Sequence, residues 1–161
     1  MIMSNLDLLG NFANGTAIYD RPNGSHLHEG VRELLPEIFA DMDPEKTFQV
    51  VEHDFGKVIG ETSCVATSDE DVIVYAQRPN RTVLSRFVKS RATEATTIAT
   101  AIVCKDEDKY YLITAFVGDA GAKEPWDSRA SDSDRAYWKS HALVWGSQEV
   151  IPGTETSVCP W

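Results

Sequence analysis

Five cations, Arg78, Arg81, Arg86, Lys89 and Arg91, stand within fourteen residues, and no acid interrupts the stretch from Tyr75 to Arg91. Guanidinium and ammonium groups at this density fix phosphate, because each brings a full charge and several N–H donors. The chain holds 15 Lys and Arg against 25 Asp and Glu, so the remainder keeps only ten cations beside all of the acids. A local cationic patch on a chain of net charge −10 attracts polyanions in one place and repels them elsewhere. His53 and His141 add imidazoles, the side chains that titrate nearest neutral pH. His26, His28 and Glu29 have a weakly metal-like spacing, but after an Asn-Gly turn they read as solvated residues, and no metal or cofactor is expected. Walker-type loops, CxxC pairs, HExxH and GxSxG are all absent, so ATPase, zinc-protease and serine-hydrolase chemistry lack a carrier.

These residues need a scaffold. At 161 residues the chain is expected to form one domain, with its core over about 26–145 and irregular termini. A hydrophobic content of 42% with 25% charged residues is that of an ordinary globular protein. The start, MIMSNLDLLGNFANG, lacks a basic n-region and a long apolar run, and no stretch approaches the ~20 apolar residues of a membrane helix. Cys64, Cys104 and Cys159 are odd in number and widely spaced, which suits free thiols and a cytoplasmic location.

Residues 1–24 show no sustained period. Ser25 is read as the N-cap of a helix whose apolar stripe runs Leu27, Val31, Leu34, Leu35, Ile38, Phe39 and Met42, kinked at Pro36 and closed before Pro44. Strand-like runs follow at 46–54, 57–67, 71–77, 83–90, 96–105 and 109–117, separated by turn material too short for crossover helices. In the last run Tyr110, Leu112, Thr114 and Phe116 are expected on one face, with Tyr111, Ile113, Ala115 and Val117 on the other. The 83–90 run also fits a helical turn. A long loop, Gly118–Asp134, carries Trp126, and Ser133 or Asp134 is read as capping a helix that holds Tyr137, Trp138, His141 and Leu143. The resulting class is α+β: N-terminal helical segments packed on a twisted, mostly antiparallel sheet of about five or six strands, with a short C-terminal helix.

An early histidine, a central Arg/Lys segment and a late strand YYLITAF, ordered after a helix, resemble the barnase–EndoU–colicin–RelE group of small ribonucleases over about residues 27–117. YLITAFVG, EPWD and WxxHAL also resemble phage- and prophage-encoded toxin-like domains. The resemblance implies metal-independent RNA cleavage by attack of the 2′-oxygen on its own phosphorus. In it, His53 is the base, and Arg86 and Lys89 stabilise the phosphorane. It also implies phosphate contacts from Arg78 and Arg81, a hydrogen bond from Thr114 and His141 as acid; Arg91 of the cationic stretch and Trp126 of the long loop are read as further RNA contacts. An acidic inhibitor protein is the partner it implies, beside the RNA substrate. One condition attaches to the site: a regular strand at 83–90 sends Arg86 and Lys89 to opposite faces.

The competing reading is of another class. Net charge −10 suits a non-enzymatic acidic binding protein, such as a nucleic-acid mimic or a phage interaction protein, with the cations neutralised locally, for instance by the acidic turn TSDED. A catalytically degenerate member of the ribonuclease group is a third reading. Surface clustering separates the first two: cations lining one face favour the nuclease, and cations pointing apart into salt bridges favour the binder.

Overall fold

The computed structural model describes residues 7–22, 24, 26–27 and 30–161. The chain is α+β, with mostly antiparallel strands and few helices. It divides into two compact units, Met1–Gly60 with Thr96–Ala120, and Glu61–Ala95 with Gly121–Trp161. Each unit is assembled from stretches far apart in sequence.

The first unit is built on a sheet ordered β1-β2-β11-β10-β4, with β3 also pairing β11. Its strands are β1 (Leu8–Asn11), β2 (Ala17–Asp20), β3 (His26–Leu27), β4 (Phe48–Asp54), β10 (Ile98–Asp106) and β11 (Lys109–Val117). β1 and β2 arise where no period was legible. Asn14-Gly15 turns the chain, with Gly15 at φ +90° and Phe12 N–H donating to the Thr16 carbonyl at 2.8 Å. The expected long helix is shorter. Its first part is a 3-10 turn (Arg32–Leu34), followed by α1 (Leu35–Ala40). Pro36 lies in the first turn of α1, where its missing N–H has no intrahelical partner to lose, so it starts the helix rather than kinking it. The proposed cap at Ser25 lies outside the described residues, as do His28 and Glu29.

The apolar stripe is nonetheless buried as a set: Val31, Leu35, Ile38, Phe39 and Met42 pack on one face of this sheet. Small residues on β10, Ala99 and Ala101, make room for α1, and Gly10 lets Phe39 approach (a Cβ there would lie 2.8 Å from the ring). β11 matches its expected bounds, but its faces do not alternate throughout. The β10–β11 register slips between Ile102 and Val103, so Ile113 forms a bulge. Ala115 then joins Tyr110 and Leu112 in the core, and Thr114 goes to the opposite face from Leu112.

The second unit carries the sheet β6-β12-β8-β7: β6 (Cys64–Ala66), β7 (Ile73–Gln77), β8 (Leu84–Val88) and β12 (His141–Val144). The run at 83–90 is therefore a strand, in unbroken antiparallel register with β7. β5 (Gly60–Thr62) and β9 (Glu94–Thr96) form a separate two-stranded ladder. The strands expected in one sheet of five or six are thus divided, among the described residues, over three: one of six strands, one of four and one of two. α2 (Asp132–Ser140) is capped by Ser131, not by Ser133 or Asp134. Ser131 Oγ accepts from Asp134 N–H, and Asp134 accepts in return from Ser131 N–H. His141 and Leu143 belong to β12, because the short run HALV finds β6 and β8 to pair with.

Candidate functional site

The cationic stretch becomes the β7–β8 hairpin and its flanks, all in the second unit. Alternation along β8 separates its cations. Arg86 lies opposite Tyr75 on one face, while Phe87 and Lys89 take the other. Arg86 Nη1 donates to Thr67 Oγ1 at 3.1 Å and to the His141 carbonyl at 2.7 Å, tying β8 to β12. Lys89 Nζ stands 4.7 Å from the Trp145 ring centre and 2.5 Å from Glu155 Oε1. Arg78 donates from Nε to Ser85 Oγ at 3.0 Å and from Nη2 to Glu124 Oε2 at 2.9 Å. Arg91 Nε reaches Asp71 Oδ1 at 2.9 Å. Arg81 is exposed at the hairpin tip beside Asn80, whose φ is +64°.

Asp71 belongs to the TSDED turn. Its carboxyl is held well below the usual carboxylate range, first by the Arg91 hydrogen bond, then by Ser68 N–H and Ser90 Oγ–H. The Tyr75 hydroxyl is pushed up, first by burial and then by a hydrogen bond with Cys159. The C-terminal residues account for this enclosure: Thr156 bridges Tyr75 through two backbone hydrogen bonds, and Trp161 meets the Tyr75 ring edge-on at 5.1 Å.

His53 and Thr114 belong to the first unit. His53 sits on the face of β4 that α1 covers, paired in register with Ala99. Its Nδ1 contacts Asp41 Oδ2, its Nε2 lies 3.4 Å from Glu37 Oε2, and Phe55 meets its ring edge-on at 4.6 Å. Both ring nitrogens therefore face carboxylates that flank the C-terminal half of α1. Thr114 pairs with His26 through the backbone.

His141 opens β12 in the second unit, its ring stacked on Tyr137 at 3.9 Å with Nδ1 3.0 Å from the Tyr137 carbonyl. Leu143 pairs with Phe87, so His141 shares the Phe87 face and not that of Arg86. Trp126 is half-buried in the loop before α2, which is fastened by Glu124 to Arg78 and by Trp138 Nε1–H to the Ala122 carbonyl at 3.1 Å. Glu124 Oε1 and Trp126 Nε1 are enclosed with no hydrogen-bond partner among the described residues.

The acids that engage these groups, Glu37, Asp41, Glu124 and Glu155, were not singled out from the sequence. Their cations and imidazole lie up to tens of residues away, and spacing carries no signal over such separations. Asp71 is different, since the TSDED turn sits beside the hairpin in sequence. Among the described residues no group of three or more His, Cys, Asp or Glu is arranged to hold a metal ion. No helix among them is long and apolar enough to cross a membrane. Comparisons with protein families, with curated proteins and with solved structures find no match for this chain.

Proposed function

We propose that the chain is a non-enzymatic acidic binding protein whose surplus carboxylates engage a basic partner. One observation carries this reading: four of the five clustered cations are spent on the protein's own groups, Arg78 on Glu124, Arg86 on Thr67 and the His141 carbonyl, Lys89 on Glu155, and Arg91 on Asp71. An anion-binding surface needs cations turned to one side and left for the ligand; these are turned to two sides, with Arg78, Lys89 and Arg91 in ion pairs and Arg86 tied to neutral oxygens. A ribonuclease of the expected type also needs a ring nitrogen of His53 open to take the 2′-hydroxyl proton, and both nitrogens face carboxylates. The balance over the chain, at net charge −10, is negative.

The test is titration calorimetry of the full chain with oligolysine and with oligoadenylate, beside incubation with RNA in EDTA. Oligolysine is expected to bind, with affinity falling about tenfold as NaCl rises from roughly 50 to 200 mM, and oligoadenylate is expected to stay unbound. RNA should remain intact. Fragments with 2′,3′-cyclic phosphate ends would return the protein to the ribonuclease reading.

A further inference from the structure

The sheet of the first unit has a second face, turned away from α1, and its side chains are unusual for a solvent-facing surface. Register aligns one residue from each of five strands across it: Phe48, Cys104, Tyr111, Tyr19 and Leu8. Phe48 is 58% exposed and Leu8 54%, at the two ends of the row; the three between are half-buried. The Tyr19 and Tyr111 rings stand 6.5 Å apart. Beside this row lies a second pair, Val50 (44% exposed) and Ile102.

β4 shows that the arrangement is not a by-product of burial. In FQVVEHD the strand buries Gln49 and turns Phe48 outward. Gln49 is held there at both ends of its amide: its Oε1 accepts from Asp43 N–H at 3.0 Å, and its Nε2 donates to the Asp43 carbonyl at 2.8 Å. A one-residue change of register would bury the phenylalanine and expose the glutamine. The strand does the opposite, and a contiguous exposed apolar surface of this kind marks an interaction site.

The border of the row is acidic. Cys104 and Tyr111 are two pairs from the β10–β11 turn, where Asp106, Glu107 and Asp108 are all exposed. Lys109 pairs with Asp108 at 3.6 Å, and Lys105 turns to the other face, over the Tyr110 ring at 5.5 Å. Aromatic side chains on an open sheet also stack on single-stranded RNA, but the acids at this border repel phosphate.

We propose that this face docks a cationic amphipathic helix of a partner protein, its apolar stripe along Phe48–Cys104–Tyr111–Tyr19–Leu8 and its Lys or Arg residues over the acidic turn. The proposal rests on the basic-partner reading of function and names the surface that carries it. Five strands span about 19 Å, which about 13 residues of helix cover at 1.5 Å each.

The experiment compares two probes on the full 15N-labelled chain: a Leu/Lys amphipathic 14-residue peptide and oligolysine of equal charge. The amphipathic peptide is expected to bind about tenfold tighter or better, from burial of Phe48 and Val50, and to shift the amide signals of Phe48, Val50, Ile102 and Tyr111. Phe48→Ser with Val50→Thr should abolish that gain and leave oligolysine binding unchanged; both positions are exposed, and an unchanged melting temperature confirms the fold. Equal affinity for the two probes, or a gain that survives the double substitution, overturns the face. Oligouridylate shifting the same amides overturns the partner class. Failure of the parent chain to bind either oligolysine or the amphipathic peptide would instead strike the functional reading beneath the proposal.

Discussion

At position 53 an imidazole sits between Asp41 and Glu37, with its edge against Phe55. Such a ring acts as a clamp between β4 and α1, since each nitrogen serves a carboxylate on or just after the helix. Replacing His53 with glutamine keeps the size but cannot reproduce two contacts on opposite sides of a ring. The expected loss is about 1 kcal/mol of stability in urea unfolding, the usual net worth of such contacts, with no change in the response to RNA. Gln49 makes a second residue-scale case. Its amide bonds both backbone groups of Asp43, so Gln49→Leu takes the partner from Asp43 N–H, while the Asp43 carbonyl still accepts from Lys46 N–H. Urea unfolding should show a cost of about 1–3 kcal/mol, although leucine is the more hydrophobic side chain.

The β7–β8 hairpin is closed by Asp71, which takes Arg91, Ser68 N–H and Ser90 Oγ–H together. Its carboxyl titrates lower in the folded chain than in the unfolded one. The stability it contributes is therefore complete above the unfolded carboxyl value of ~3.9 and is lost as pH falls through the folded value. Asp71→Asn should lower the melting temperature at pH 7, and the gap to the parent should shrink as the pH falls below about 4. A second device acts on the same sheet. Residues after Val150 lie along the outer edge of β7, with Ile151 N–H donating to the Gln77 carbonyl, Thr154 Oγ1 accepting from Gln77 N–H and Thr156 bridging Tyr75. An open edge strand invites pairing with other chains, and this segment occupies it. Thr156→Pro removes the N–H that donates to the Tyr75 carbonyl. Hydrogen exchange at the Tyr75 amide should then quicken by about tenfold or more, while amides of Phe87 and Val88 within the sheet keep their protection.

For the molecule as a whole, charge is the governing quantity. Under the proposed reading, a chain of net charge −10 with Arg78, Lys89 and Arg91 in ion pairs is not expected to hold RNA. Arg86→Ala with Lys89→Ala should leave RNA retention at background in a filter assay and lower the melting temperature, because Arg86 ties two strands and Lys89 holds Glu155. A marked loss of RNA retention in that variant would restore the cations to function. The sequence by itself determined what local chemistry can determine. The aromatic and β-branched run at 109–117 had to pair as a strand. The apolar stripe from Val31 to Met42 had to be buried, and the acidic TSDED turn stood ready for a neighbouring cation. What it left undecided depended on groups brought together from afar. The bulge at Ile113 moved Thr114 to the other face because one extra residue reverses the alternation. HALV became a strand because β6 and β8 offered it partners. Lys89 met Glu155 and Arg78 met Glu124 across distances in sequence that no period spans. The row from Phe48 to Leu8 likewise exists only once five strands lie in register, since each contributes a single residue that its own segment would place on either face.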